Sequence, residues 1–282
     1  MDWYLNRQRR FGTLVEIAEN SLNVLYLAES DLKYIEPSWS VDEAHGWLET
    51  NGFDVAPLAE AKPHRFFSID TEAIGDLPVA DAARPIDAAR LVTSSLGLAE
   101  GVALLAMEPF YFVMEGSHLA GIVTRADVQR PAVSMVTLSL ILAAEARMGV
   151  LIQGWLGPEW EVYLTDERRN RLAEILEDRR RRNVEIGLLD CLMLGDRLKL
   201  LGKNRELIRA LGYGEPGAYK DWKEQLGHLR DTLAHGGSLL DHDPEPIRAI
   251  QLFDAVRGFA DVIWSLPESP VGHPQSGTPA CP

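Results

Sequence analysis

The hydrophobic pattern of the chain changes once, near residue 130, and this change constrains the fold more than any other feature. Four short runs in residues 1–130 are rich in β-branched and aromatic residues, which predicts strands at 53–59, 65–69, 110–114 and 119–124. Helical periodicity is present between them, at 41–51 and 98–107. Residues 131–265 have no strand pattern, and their apolar spacing predicts helices at 132–155, 166–182, 184–211, 216–235 and 245–265. We therefore expect an α+β part followed by an all-α part.

The length and composition agree with two folded parts. A chain of 282 residues has room for about two domains. Its 46% apolar and 25% charged residues exclude a disordered or fibrous protein. We divide it into an N-terminal segment (1–30), an α+β module (31–130), a helical domain (131–265) and a tail (266–282). The tail holds many of the prolines and little apolar bulk, which predicts disorder.

The net charge of −14 argues against an indiscriminate nucleic-acid coat or adsorption to an anionic membrane. Most of this acidity lies in the first part, since residues 1–130 carry 10 basic and 20 acidic side chains. Residues 131–282 are nearly balanced, with 18 basic and 22 acidic side chains. Any binding of RNA is therefore expected to depend on a local cleft of the second part, and not on a broad basic face.

Several features predict a cytoplasmic protein. The start of the chain, MDWYLNRQRRFG, has no apolar stretch after its arginines, so we expect no secretory signal. The longest apolar run, 131–144, is cut by Glu145 and Arg147, and a membrane span needs about 20 apolar residues, so a buried helix and no membrane partner are expected. Cys191 and Cys281 cannot form a disulfide framework or a metal knuckle.

Two charged clusters have a structural interpretation. The arginines of 168–182 alternate with acidic residues, which favours a solvated helix face over an RNA track. His235, Asp241, His242 and Asp243 follow no rigid ligand spacing, so no metal site is predicted.

The first part contains two similar stretches. The first leads from 37–44 through NGFDVAPLAE (51–60) to RFFSI (65–69), and the second from RLVTSS (90–95) to the strands ending near residue 127. Each predicts strand, helix, strand, strand, helix. Two such copies packed face to face would bury apolar surface that one copy cannot.

The last strand of the second copy reads GIVTRAD, residues 121–127. It ends at the hydroxyl of Thr124 and reaches the carboxylate of Asp127 three residues later, at a predicted helix start. This spacing is typical of a capping box, in which both groups satisfy backbone donors. The same hydroxyl and carboxylate could instead hold the two hydroxyls of a ribose.

GIVTRAD resembles the hallmark strand of the CBS domain family, G-[IV]-[VI]-[TS]-x-x-D, and the resemblance covers about residues 31–130. It implies a tandem CBS pair that binds an adenine nucleotide (AMP, ATP or a related molecule) as a regulatory ligand. Gly121, Thr124 and Asp127 would form the nucleotide site. The first copy has Ser68 at the hydroxyl position but Thr71 at the carboxylate position, so we expect at most one competent site.

The second motif, LRDTLAHGG, closes the helix predicted before Gly236. Arg230 is expected at the edge of an apolar face, with its stem packed and its guanidinium available to an anion. His235 follows after about 140° of rotation and about 7.5 Å of rise, so one straight helix does not easily aim both groups at one point. A fraying helix end or a second subunit would bring them together. Alternatively, Arg230 pairs with an acid in the core and His235 caps the helix. The apolar face consists of Tyr219, Trp222, Leu226, Leu229 and Leu233.

The R-x4-H spacing and the phrase LRDTLAHG resemble the HEPN family, and the resemblance covers about residues 131–265. It implies an all-α HEPN-type helical bundle and a metal-independent endoribonuclease whose motifs meet across a homodimer. Arg230 would hold the scissile phosphate, His235 would act on the 2′-hydroxyl or the developing charge, and Asp231 would orient this pair. No cofactor is implied for catalysis. HEPN domains also occur as non-catalytic dimerisation units.

Two functions remain as hypotheses. The first is a dimeric endoribonuclease, of the toxin or defence-effector type, that cleaves RNA in response to an adenine nucleotide. The second is a nucleotide-sensing adaptor in which the helical domain only dimerises or binds a partner.

Overall fold

The structure is a computed structural model that describes residues 21–60, 64–73, 75–182, 184 and 186–270. Contacts divide the chain into two compact units. We call the described part of Glu19–Val133, together with Glu245–Ile250, the α+β unit. The described part of Ser134–Pro244 and Gln251–Pro282 is the helical unit.

The α+β unit contains two three-stranded sheets, β1-β2-β3 and β4-β5-β6. The first sheet is antiparallel. In the second, β4 is parallel to β5, and β5 is antiparallel to β6. The elements are α1 (Val41–Asn51), β1 (Val55–Pro57), β2 (Arg65–Ser68), α2 (Val79–Ala82), β3 (Arg84–Pro85), β4 (Leu91–Thr93), α3 (Leu98–Leu104), β5 (Phe110–Glu115) and β6 (His118–Thr124).

The two sheets are repeats of one βαββ arrangement, which confirms the predicted duplication. In the second copy, α3 connects the parallel strands β4 and β5. In the first copy, the opening strand is reduced to a parallel bridge between Ile35 and Leu58, and α1 follows it. The predicted closing helices are short: α2 in the first copy, and the 3-10 helix Arg125–Gln129 in the second.

Aromatic side chains join the two copies face to face, as the sequence predicted. The Phe66 ring of β2 lies 5.4 Å from the Phe110 ring and 5.8 Å from the Phe112 ring of β5, between centroids. Both distances are in the favourable range for aromatic pairs. Val55 joins these rings in one buried cluster, so the inner faces of both sheets form a common core.

The predicted elements of the α+β unit are present, but the strand predicted over 53–59 is shortened to Val55–Pro57, and one helix is shortened. All four predicted strands are present, and α1 has the predicted bounds. Helix α3 ends at Leu104 and not at residue 107. Side chains bind the carbonyls at this end: the Tyr111 hydroxyl donates to the Leu104 carbonyl at 3.2 Å, and Arg125 Nε donates to the Leu105 carbonyl at 2.8 Å.

The helical unit has no strand among its described residues, as predicted. Thr165 caps its second helix by accepting from the backbone N–H of Arg168. Its helices are α4 (Pro131–Leu156, which begins in the α+β unit), α5 (Asp166–Arg181), α6 (Leu194–Leu201), α7 (Arg205–Ala210), α8 (Pro216–Ala234), α9 (Leu239–His242) and α10 (Pro246–Ser265, whose first turn belongs to the α+β unit).

Helix α4 is long and apolar enough to cross a membrane by length and composition alone. Of its most apolar stretch, 67% is buried inside the protein. It also carries Glu145 and Arg147, whose side chains are 17% and 9% exposed. Burial within the protein accounts for the apolar sequence of this helix.

The prediction of one helix over 184–211 is wrong. The 3-10 helix Leu188–Cys191, α6 and α7 occupy this stretch instead. Asn204 ends the continuity, because its side chain accepts from the backbone N–H of Leu207 and so starts a new helix. The Asn204 amide also donates to the Trp155 carbonyl at 3.1 Å.

Residues 266–268 contact helix α4, although we predicted disorder for 266–282. The Leu266 carbonyl accepts from Arg147 at 2.7 Å, and the Pro267 carbonyl accepts from the Trp155 indole at 3.0 Å. Glu268 forms an ion pair with Arg147 at 3.5 Å. Residues 271–282, and residues 1–20 of the predicted N-terminal segment, lie outside the described residues.

The chain just before residue 31 crosses β6 at Gly121. Glu29 and Ile122 exchange two backbone hydrogen bonds, of 2.8 and 3.0 Å. A Cβ atom on Gly121 would lie 2.8 Å from the Glu29 carbonyl oxygen and 3.0 Å from the Ala28 Cβ. The backbone approach at this crossing therefore requires a glycine.

We expect Gly121→Ala to destabilise the protein by about 1–3 kcal/mol, the usual cost of overpacking. Gly46→Ala is the matched control, because Gly46 lies in α1 and a Cβ there would meet nothing within 4 Å. That change should stabilise the protein by about 0.5–1 kcal/mol through helix propensity. Urea unfolding measures both, and equal effects of the two changes would contradict the role of Gly121.

Candidate functional site

The end of β6 brings Thr124 and Asp127 together in the predicted capping arrangement. The backbone N–H and the hydroxyl of Thr124 donate to Asp127 Oδ2, at 2.7 and 2.9 Å. The other oxygen, Oδ1, accepts from Arg130 Nε at 2.9 Å. The Asp127 side chain is 14% exposed. Both carboxylate oxygens are thus engaged, and a ribose would have to share or replace the contact with Arg130.

Arg130 also connects this carboxylate to the chain that crosses β6. Its Nη2 donates to the Glu29 carboxylate at 3.1 Å. A hydrogen bond from the Asp31 backbone, and after it the one from Arg130, lowers the pKa of Glu29. Gly121, the third residue of the predicted nucleotide site, contributes the close backbone approach to Glu29. The crossing segment therefore lies directly beside the predicted site.

The corresponding strand end of the first copy holds a different polar cluster. The Ser68 hydroxyl donates to Asp70, and Arg84 donates to Ser68 Oγ at 3.1 Å and to Asp70 Oδ1 at 3.2 Å. The Ser68 hydroxyl, and after it Arg84, lowers the pKa of Asp70. The hydroxyl of Thr71 is buried and has no hydrogen-bond partner in the described structure. The first copy thus has its carboxylate one residue before the motif position, which comparison with the motif missed.

The end of α8 positions the R-x4-H motif. The apolar face predicted for this helix is buried, and Arg230 lies at its edge with 39% of its side chain exposed. The helix ends at Ala234, with the exposed His235 as its C-cap and Gly236 at φ 86°. The predicted helix end is therefore confirmed, and so is the partial enclosure of Arg230.

Asp231 contacts both motif residues. Arg230 Nη1 donates to its carboxylate at 3.1 Å, and His235 Nδ1 lies 2.7 Å from its backbone carbonyl oxygen. A carbonyl can only accept, so Nδ1 of His235 carries the proton and the lone pair remains on Nε2. Asp231 thus fixes the tautomer of the imidazole through its main chain and contacts the guanidinium through its side chain.

A buried carboxylate that sequence reasoning missed lies near Arg230. Glu145 of α4 is 3.7 Å from Arg197 Nε of α6, and these side chains are 17% and 7% exposed. Burial raises the pKa of Glu145, whereas Arg197 and Arg230 lower it. Arg230 Nε is buried without a hydrogen-bond partner among the described residues. Glu145 therefore acts on Arg230 through its charge, and its one signal in the sequence was the interruption of an apolar run.

The end of α8 supplies a proton acceptor and an anion-binding group. The Nε2 lone pair of His235 can accept a proton, and a guanidinium can hold a phosphate through parallel hydrogen bonds. Both groups contact Asp231, Arg230 through the carboxylate and His235 through the main-chain carbonyl. The helix is regular up to Ala234, so a second copy of the chain is still needed to bring an imidazole and a guanidinium to one point.

Other charged clusters form structural ion pairs. Arg171, Arg181 and Arg182 pair with acids three or four residues away on α5 or at its end, as expected for a solvated face. Among the described residues, no group of three or more His, Cys, Asp and Glu side chains could hold a metal ion.

No protein-family model matches the chain, and no curated protein matches it. A CBS domain-containing protein of unknown function from Bacillus anthracis is 15% identical, with 40% of this chain and 93% of that one covered and a TM-score of 0.35. A conserved CBS domain protein from Thermoplasma acidophilum is 18% identical, with 42% and 75% covered and a TM-score of 0.32. A hexameric CBS-CP12 protein from bloom-forming cyanobacteria is 13% identical, with 76% and 98% covered and a TM-score of 0.34.

The N-terminal part has an α+β fold with two βαββ repeats, and the remainder is largely helical. The HEPN-type bundle expected for 131–265 stays a prediction.

A histidine pair lies near the end of α8. Nδ1 of His228 lies 3.0 Å from Nδ1 of His242, so one ring must donate and the other accept. Burial, and after it the charge of His228, lowers the pKa of His242 from its ordinary value of 6.5. Protonation of both rings would place two positive charges in contact.

We expect acid to destabilise the protein through this pair. The folded-state pKa of His242 lies below the unfolded value, so its stabilising contribution is complete above about pH 6.5 and is lost as the pH falls. Thermal unfolding at pH 7.5 and 5.5 should therefore show a smaller drop in Tm in His242→Asn than in the parent. Equal drops would contradict this assignment.

Proposed function

We propose that the protein is a metal-independent endoribonuclease whose activity responds to an adenine nucleotide bound by the α+β unit. The observation that carries the proposal is the contact of Arg230 and His235 with the same residue, Asp231, at the end of α8. One residue thus contacts both an anion-binding group and an exposed proton acceptor. The resemblance of LRDTLAHG to the HEPN family names RNA as the substrate.

The reaction is a transesterification within the RNA chain. His235 Nε2 takes the proton of a 2′-hydroxyl, and the resulting oxyanion attacks the adjacent phosphorus. The bond from phosphorus to the 5′-oxygen breaks, and that oxygen leaves with a proton. The products are a 2′,3′-cyclic phosphate and a 5′-hydroxyl. The nucleophile comes from the substrate, so this route activates no water molecule.

Arg230 stabilises the charge that develops on the phosphate oxygens. The negative charge of the nearby Glu145 attracts the guanidinium of Arg230, and the Asp231 carboxylate accepts a hydrogen bond from its Nη1. An Arg side chain with one end enclosed loses little freedom when it binds an anion. In the proposed homodimer, the end of α8 in the second copy supplies the proton for the leaving 5′-oxygen.

The nucleotide response would begin at Asp127. A ribose that binds Thr124 and Asp127 competes with Arg130 for the carboxylate, and Arg130 directly precedes Pro131, the first residue of α4. A nucleotide can shift the protein between two states only if it binds them with different affinity. In one state Arg130 pairs with Asp127, and in the other it pairs with a phosphate of the nucleotide. The nucleotide therefore binds the second state with higher affinity.

We expect Arg230→Ala and His235→Ala each to reduce RNA cleavage by at least about 100-fold, the usual scale for losing a positioned acid-base or anion-binding group. The measurement is the rate of cleavage of a structured RNA by purified protein in the presence of EDTA. Detection of the 2′,3′-cyclic phosphate end identifies the reaction.

Two matched variants serve as controls for this test. His228→Ala removes a histidine from the same helix, and Arg182→Ala removes an exposed arginine paired with Asp178. Both should cleave at the parental rate. Equal cleavage by Arg230→Ala, His235→Ala and the parent would exclude the ribonuclease and leave the nucleotide-sensing adaptor.

We expect Asp127→Asn to weaken AMP binding by about tenfold or more in calorimetry, because the ribose hydroxyls lose a charged acceptor. Asp70→Asn is the matched control from the first copy, and it should bind AMP as the parent does. Unchanged binding by Asp127→Asn would contradict the ribose assignment, and a selective loss in Asp70→Asn would move the site to the first copy.

A further inference from the structure

A basic cavity of about 660 Å³ lies in the helical unit, between α5, α6 and α8. Six cationic and two anionic side chains line it, in a chain whose net charge is −14. Four of the six lysines of the whole sequence are among them: Lys199, Lys203, Lys220 and Lys223. The other two lysines, Lys33 and Lys62, are far from this group and from each other in the sequence.

Ion pairs within the cavity lining neutralise few of these lysine charges, so most of them are available to bind an anion. Of the two lining acids, Asp196 is engaged by Arg168, whose Nε lies 3.0 Å from Oδ1, and Glu167 is exposed. Lys199, Lys203 and Lys223 have no acid within ion-pair distance in the described structure. Lys220 reaches Glu224 at 4.0 Å with both side chains mostly exposed, a pair of little strength.

A buried hydrogen bond fixes two of the helices that line the cavity. The Tyr219 hydroxyl donates to the Leu198 carbonyl at 2.7 Å, and this buried ring joins α8 to α6. Burial raises the pKa of Tyr219, so its hydroxyl stays a hydrogen-bond donor. Tyr163, at one side of the cavity, is 46% exposed and offers a ring face on which a base can stack.

One face of α8 leads from the cavity lining to the R-x4-H motif. Lys220, Lys223, Gly227 and Arg230 follow a 3-4-3 spacing, so they form one stripe on this helix. Lys223 lies about 10 Å from Arg230 along the axis. At Gly227, between them, a Cβ atom would meet nothing within 4 Å, so the surface there is open.

We propose that this cavity binds the backbone phosphates of single-stranded RNA next to the scissile phosphate held by Arg230. The inference rests on the proposed ribonuclease function and names how its substrate is held. Lysine ammonium groups bind phosphate as point charges without reading sequence, and an exposed tyrosine stacks on any base. The cavity therefore supplies affinity for single strands, while cleavage depends on Arg230 and His235.

The test uses the full chain with His235→Ala, so that the probe stays intact. The probe is a short unstructured RNA labelled with fluorescein, and its binding is followed by fluorescence anisotropy at several salt concentrations. The cavity variant carries Lys199→Ala, Lys203→Ala and Lys223→Ala. The matched control carries Arg179→Ala, Arg181→Ala and Arg182→Ala, which removes the same charge from the exposed end of α5.

We expect the cavity variant to lose at least about tenfold in affinity, whereas the control changes by less than about threefold. The slope of log affinity against log salt should become shallower by about 2, because each phosphate contact on a single strand contributes about 0.7. Equal affinities and slopes for the two triple variants would overturn the proposal, and so would a parent that binds no RNA. Tighter binding of poly-glutamate than of RNA, lost in the cavity variant, would assign the cavity to an acidic protein partner and also overturn it.

The outcome is separable from that of the ribonuclease proposal. Weaker RNA binding by the cavity variant, with no cleavage by the protein that retains His235, supports the cavity and rejects the enzyme. Cleavage by that protein with unchanged binding and rate in the cavity variant supports the enzyme and rejects the cavity.

Discussion

Burial of the apolar face of α8 is the constraint on which the functional surface of the helical unit depends. Leu226 and Leu229 are fully buried, and Trp222 lies against the Phe259 ring of α10. Each such side chain contributes about 1.5–3 kcal/mol, so rotating the helix would be costly. This orientation leaves Arg230 half-buried at the edge and His235 exposed at the end. The same rotation directs Lys220 and Lys223 into the basic cavity.

The charged side chains of the helical unit fall into two groups: some form structural ion pairs, and others are available to bind a ligand. Arg197 and Glu145 are buried together, and their cost is offset by main-chain carbonyls that accept from Arg197. The arginines of α5 pair with acids along their own helix and are screened by water. Lys199, Lys203 and Lys223 of the cavity lack such partners in the described structure, and Lys220 has only the weak, exposed pair with Glu224. An acidic protein can thus present one local basic surface, which total charge does not reveal.

Periodicity and turn chemistry predicted most of the fold. The four strands, α1 and the bounds of α5 and α8 follow from spacings of two and 3.6 residues and from caps such as Thr165. The prediction of one helix over 184–211 was wrong, because the apolar spacing continues across Asn204 and does not reveal the break there. A side chain that starts a new helix there also bonds Trp155 of α4, a contact 49 residues away in sequence.

The sequence by itself determined the two-part architecture, the duplication and the positions of Arg230, His235, Thr124 and Asp127, because these depend on local spacing. Tertiary structure alone decided which charges meet. The contact of Arg130 with Glu29, the ion pair of the buried Glu145 with Arg197, and the gathering of four lysines around one cavity join residues distant in sequence. Such contacts leave no periodic signal, since periodicity reports only which face of one element is apolar.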